Sequence, residues 1–129
     1  MYSSEYIIRE TKTLIDNAAN NYCQVLNKKI MAAIIEGKTE LLARITRSTM
    51  QDYLKHYYND EKPLVNYITS EISADILTRW VEQIVKNIKT ARYSCEVEWT
   101  DMTNVIDKLG NMVVCQIKIE IPAVTWNND

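Results

Sequence analysis

A chain of 129 residues with 47% hydrophobic and 25% charged residues has the size and balance of one folded domain, which excludes a disordered tail and an integral membrane protein. Its 15 Lys and Arg against 17 Asp and Glu leave a formal net charge of -2, so no global attraction to nucleic acid is expected. Two glycines, Gly37 and Gly110, are too few and too far apart for a phosphate-cradling loop, and the one histidine, His56, excludes a multi-histidine metal site.

In chain order, the start carries Glu5, Arg9, Glu10 and Lys12, which interrupt any apolar run of the kind a signal peptide needs. The longest apolar run, residues 30–35, falls far short of a membrane span. Across residues 4–36 the positions Ile7, Thr11, Leu14, Ala18, Tyr22, Val25, Lys29 and Ala33 recur at steps of three and four, with Ile8, Ile15, Leu26, Ile30 and Ile34 beside them. That spacing predicts a helix, capped by Ser3 or Ser4 and ended by Gly37. Its length and the polar cluster at residues 17–21 leave room for a break.

Thr39 can cap a second helix with an inward face of Leu42, Ile45, Thr49, Tyr53 and Tyr57, antiparallel to the first because the connection is short. Residues 59–63 read as a loop, with Pro63 suited to the first turn of a third helix. Its stripe is Val65, Ile68, Ile72, Ile76, Trp80, Ile84 and Ile88, with Ser70 or Ser73 able to cap a restart. Glu71, Asp75, Arg79, Glu82, Lys86 and Lys89 form its solvated face.

The period then changes to two. Tyr93, Cys95, Val97 and Trp99 alternate with polar residues, as do Val113, Cys115, Ile117, Ile119 and Ile121 before Pro122 stops the ladder. Residues 101–110 can hold one or two helical turns between them. Antiparallel pairing sets odd residues against odd, and one allowed register places Cys95 opposite Cys115. A two-stranded ribbon is marginal alone, so it must lie on the helices and gain a strand from elsewhere, the first argument for assembly. The expected fold is therefore α+β: two or three long helices over residues 1–92, a C-terminal antiparallel β-hairpin over 93–121 packed on them, and an extended tail over 122–129.

No catalytic constellation emerges. His56 lacks an identifiable nucleophile and orienter, so a structural role is expected. Cys23, Cys95 and Cys115 form no CxxC pair and no disulfide framework, which fits a reducing compartment, and Cys95 and Cys115 read as small hydrophobes. No Asn-x-Ser/Thr acceptor occurs, in agreement with a cytoplasmic chain. Glu96 and Glu98 are explained by strand alternation without chemistry. We expect no enzyme, cofactor, metal or small-molecule substrate, and no membrane association.

An interaction role has more support. Arg44, Arg47 and Lys55, with Lys28, Lys29 and Lys38, gather positive charge around the second helix, whereas residues 93–129 hold six acids against two lysines. A basic face of one subunit can meet the acidic hairpin of the next. Nucleic acid is a weaker candidate, since no aromatic stacking platform or recognition motif accompanies the basic face. Eight tyrosines, three tryptophans and no phenylalanine give every aromatic a polar handle, a character suited to interfaces. Tyr58, beside Tyr53, Tyr57 and His56, is one such candidate, although Tyr53 and Tyr57 also suit the core. In the tail, Val124 and Trp126 alternate in an extended segment too short for a core of its own, so they must dock on this domain, dock on a partner across a subunit boundary, or stay exposed. Abundant Ile, Asn, Lys and Tyr point to an AT-rich genome. The sequence thus predicts a non-catalytic structural or virion-assembly subunit of phage or viral type, in the host cytoplasm or the virion, with copies of itself or other subunits as partners. The alternative is a small viral inhibitor or accessory protein that binds a host protein or nucleic acid through residues 53–58.

Overall fold

The structure, a computed structural model, describes residues 1–57, 72–100 and 113–124, with 55–57 as backbone alone. Three helices and a three-stranded antiparallel sheet make up the described residues: α1 (Ser4–Ile35), β1 (Glu40–Thr46), α2 (Arg47–Tyr57), α3 (Ala74–Thr90), β2 (Cys95–Trp99) and β3 (Val113–Glu120). The α+β class expected from the change of period is the one observed.

The first helix runs unbroken for 32 residues, about 48 Å, straight through the polar cluster that left room for a break. Its asparagines are accommodated by a partner helix. Asn20 Oδ1 accepts from Asn87 Nδ2 on α3 at 2.9 Å, and Asn87 Oδ1 in turn accepts from Gln83 Nε2 at 3.0 Å. The Ser3 hydroxyl caps the start by accepting from the Tyr6 amide. The end is a Schellman turn: Gly37 sits at φ 72, its amide donates to the Ile34 carbonyl, and the Lys38 amide donates to the Ala33 carbonyl.

The second helix expected from Thr39 is instead a strand followed by a shorter helix. Leu41, Ala43 and Ile45 turn inward while Glu40, Leu42 and Arg44 face solvent, a period of two that holds up to Thr46. The helix then starts because Thr46 and Thr49 cap each other: Thr49 N donates to Thr46 Oγ1 at 3.1 Å, and Thr46 N donates to Thr49 Oγ1 at 3.3 Å. Thr39 caps nothing; its carbonyl accepts from the Ile121 amide and opens the sheet ladder.

Helix α3 restarts at Ser73, whose hydroxyl accepts from the Ile76 amide, while the start expected at Pro63 lies outside the described residues. Of the expected stripe, Ile72, Trp80, Ile84 and Ile88 are buried and Ile76 is half-buried, while Leu77 and Val81 join the buried face; Val65 and Ile68 lie outside the described residues, and Asp75, Arg79, Glu82, Lys86 and Lys89 are exposed. It runs in the same direction as α1: residues 12–16 share one groove with 79–86, and residues 23–30 share another with 87–93. Its C-terminus repeats the Schellman pattern with a non-glycine residue, Arg92, at φ 68.

Strand β3 is central, in the order β1-β3-β2. Odd residues do face odd residues between β2 and β3, but the register sets Cys95 opposite Ile119 and Trp99 opposite Cys115, so the Cys95–Cys115 pairing is corrected and all three thiols are free. The strand that the ribbon required comes from this same chain, as β1. A bulge at Val114, between the Ile45–Cys115 and Thr46–Val113 pairs, ends that ladder. Thr100 holds the bulge through its amide and its hydroxyl, both donated to the Val114 carbonyl, at 2.9 and 2.7 Å.

Helices and sheet share one core. Leu14, Ala18, Tyr22, Leu26 and Ile30 from α1, Met50 and Leu54 from α2, the α3 stripe, and Ile45, Cys115, Ile117 and Ile119 from the sheet are all buried in it. Tyr22, Tyr53 and Trp80 join the three described helices, with Tyr22 edge to face on both other rings, Tyr53 tilted against Trp80, and centroids 5.3 to 6.4 Å apart.

Candidate functional site

The face of the sheet turned away from the helices is where the sequence places most of its uncompensated charge. Glu40, Leu42 and Arg44 come from β1, Gln116, Lys118 and Glu120 from β3, and Glu96 and Glu98 from β2, because even residues point outward on all three strands. Lys118 stands in the middle. Its Nζ bridges to Glu40 at 3.2 Å, and Glu96 lies directly opposite on β2. The hydrogen bond and the charge of Glu40, with smaller contributions from Glu96 and Glu120, raise the Lys118 ammonium above its ordinary value. Arg44 is exposed at the far end of β1 with no ion-pair partner among the described residues.

Apolar side chains are exposed on or beside the same strands, Leu42 on this polar face and Trp99, an odd residue, on the opposite side at the end of β2. Leu42 on β1 is 43% exposed, Trp99 at the end of β2 is 39% exposed and Val124, beyond β3, is 41% exposed. Within the described residues β1 and β2 are edge strands, each carrying a row of backbone groups with no strand beside it.

The basic residues expected to share one helical face do not do so. Arg44 lies on a strand and faces solvent, whereas Arg47 opens α2, is half-buried, and has interactions of its own within the chain. The backbone of Lys55 lies in α2; its side chain, like that of His56, is outside the described residues, as are Tyr58 and Trp126. Val124 is exposed, after Pro122. Tyr53 packs on Tyr22 and Trp80, which makes it a core residue rather than part of a surface patch.

The thiols carry little nucleophilic character. Burial pushes Cys115 up to about 12 and raises Cys23 and Cys95 as well, only partly offset by the Asn87 hydrogen bond to Cys23 and by the charge of Lys89 near Cys95. Between α1 and α3 lies an open groove of about 300 Å³, lined by Lys12, Ile15, Asp16, Arg79, Glu82, Gln83 and Lys86, whose charges alternate in sign without converging on one point. No group of three or more His, Cys, Asp or Glu is placed to hold a metal ion among the described residues, and no described helix is long and apolar enough to cross a membrane.

Reasoning from the sequence missed Glu40, Leu42 and Lys118. The signal was present as Leu41, Ala43 and Ile45 alternating with Glu40, Leu42 and Arg44, but the helical spacing of Leu42, Ile45 and Thr49 competed with it. Comparison with known proteins finds no matching family model, no matching curated protein and no matching solved structure.

Proposed function

We propose that this chain is a non-catalytic structural or assembly subunit, of phage or viral type, that works through contacts with other subunits. The observation that carries the reading is the exposure of large apolar side chains around an uncovered sheet: Leu42 on β1, Trp99 on β2 and Val124 beyond β3. Single exposed apolar residues are ordinary, but three on or beside the strands of one sheet that is open at both edges among the described residues favour a surface awaiting a partner. The polar face that carries Leu42, rich in glutamate around Lys118, suits the rim of a contact that a second subunit covers.

The two-stranded ribbon is completed within the chain by β1. Among the described residues, the outer sides of β1 and of β2 remain without a strand beside them. Light scattering of the full chain and of a truncation ending before Pro122 tests the reading. An oligomer that loses mass on truncation places the tail in the contact. An oligomer unchanged by truncation removes Val124 and Trp126 from it, and a monomer under all conditions refutes the assembly reading as a whole.

A further inference from the structure

The outer edge of β1 is self-complementary, and we propose that two copies of this chain pair antiparallel through it, with a two-fold axis at Leu42. This rests on the reading of the chain as an assembly subunit and names the partner and the surface. The ladder fixes which backbone groups are available. The Ile121 amide donates to the Thr39 carbonyl, so in the β1–β3 pair the odd residues of β1 turn their N–H and C=O toward β3. Glu40, Leu42 and Arg44 therefore turn theirs outward, where the described residues place no strand.

A strand that meets a copy of itself across an axis at Leu42 sets Leu42 against Leu42, and Glu40 against Arg44 twice over. The exposed Leu42 gains an apolar neighbour and Arg44 gains the partner it lacks, on the same solvent face. Shifting the register by two residues breaks this: it sets Glu40 against Leu42 and brings Lys38 against Arg44, two cations. The other edge rejects the same arrangement. An axis at Val97 on β2 would set Glu96 against Glu98 twice, like charges on neighbouring strands. An antiparallel contact of β1 with β2 is disfavoured too, because the outward groups belong to even residues on β1 and odd residues on β2 and such pairing would turn the two helical layers to opposite faces. A parallel, head-to-tail contact keeps the layers on one face but is heterologous, so it does not close on itself as the two-fold pair does. The result is a closed dimer with a continuous six-stranded sheet and both helical layers on one side.

Charge reversal at the two flanking positions tests the arrangement with the intact chain. Arg44→Glu alone sets acid against acid across the axis, and Glu40→Arg alone sets base against base. Each variant is expected to weaken self-association at least about tenfold, from two reversed pairs. Mixed together, they restore opposite charges at both positions and should form a heterodimer, read by sedimentation or native mass spectrometry. Leu42→Pro removes only an outward N–H, so it should abolish the dimer while circular dichroism remains that of the folded chain. A wild-type oligomer that survives all three substitutions, or variants that fail to combine on mixing, overturns the β1 edge and leaves assembly by another surface standing. A wild-type chain that stays monomeric overturns both.

Discussion

Cys115 and Trp80 show how far the interior constrains individual side chains. Cys115 is fully buried in the sheet, and the cost of placing a thiolate there raises its pKa to about 12 against an ordinary 9.0. The unfolded chain releases this proton first. Stability should therefore be flat through neutral pH and fall as pH rises from about 9 toward 12, with a slope approaching about 1.4 kcal/mol per pH unit for this group. Cys23 and Cys95, also raised, add to the fall. Urea midpoints across this range check the prediction, and Cys115→Val should make the decline shallower. Trp80 has no exposed surface and fills the junction of the three described helices against Tyr22 and Tyr53, although its indole N–H finds no acceptor among the described residues. Packing outweighs the lost hydrogen bond here. Trp80→Ala should destabilise by about 3–5 kcal/mol in chemical denaturation, the range for emptying a large aromatic site.

At the scale of elements, ends are set by a few residues with definite geometry. Gly37 and Arg92 occupy equivalent left-handed positions after α1 and α3. Nothing lies within 4 Å of a Cβ added at Gly37, so Gly37→Ala suffers only the backbone strain, about 1 kcal/mol. Arg92→Gly relieves the same strain and should raise stability by up to about 1 kcal/mol; opposite shifts in thermal midpoint are expected from the two substitutions. Gly37 was legible in the sequence as a helix end, and so were Ser73 as a cap and the apolar stripe of α3, because each depends on neighbours along the chain. The strand β1 was not. Residues Glu40–Thr46 satisfy a helical and a strand period at once, and the free side of β3, a partner about 75 residues away, decides between them. The pairing of β2 with β3 sets Cys95 opposite Ile119, a register that parity alone left open. Asn20 remained in a continuous helix for a similar reason, since Asn87 satisfies it from α3.

For the whole molecule, the interaction surface was legible only in part. Arg44 and Val124 were singled out from charge and from the apolar pattern of the tail, and both are exposed; the β1 strand that gives Arg44 its setting depends on the sheet, as does the nearness of Glu40 to Lys118. A sheet whose edge strands are uncovered among the described residues, with apolar residues at its margins, favours association, and the charges flanking Leu42 favour association with a copy of itself. The most direct measurement is the molar mass of the full chain across a wide range of protein concentration, at low and at high salt. The account predicts a mass that rises above the 15.0 kDa protomer as concentration increases, and rises less when salt screens the Glu40–Arg44 contacts. A mass fixed at that of the protomer under every condition would contradict it.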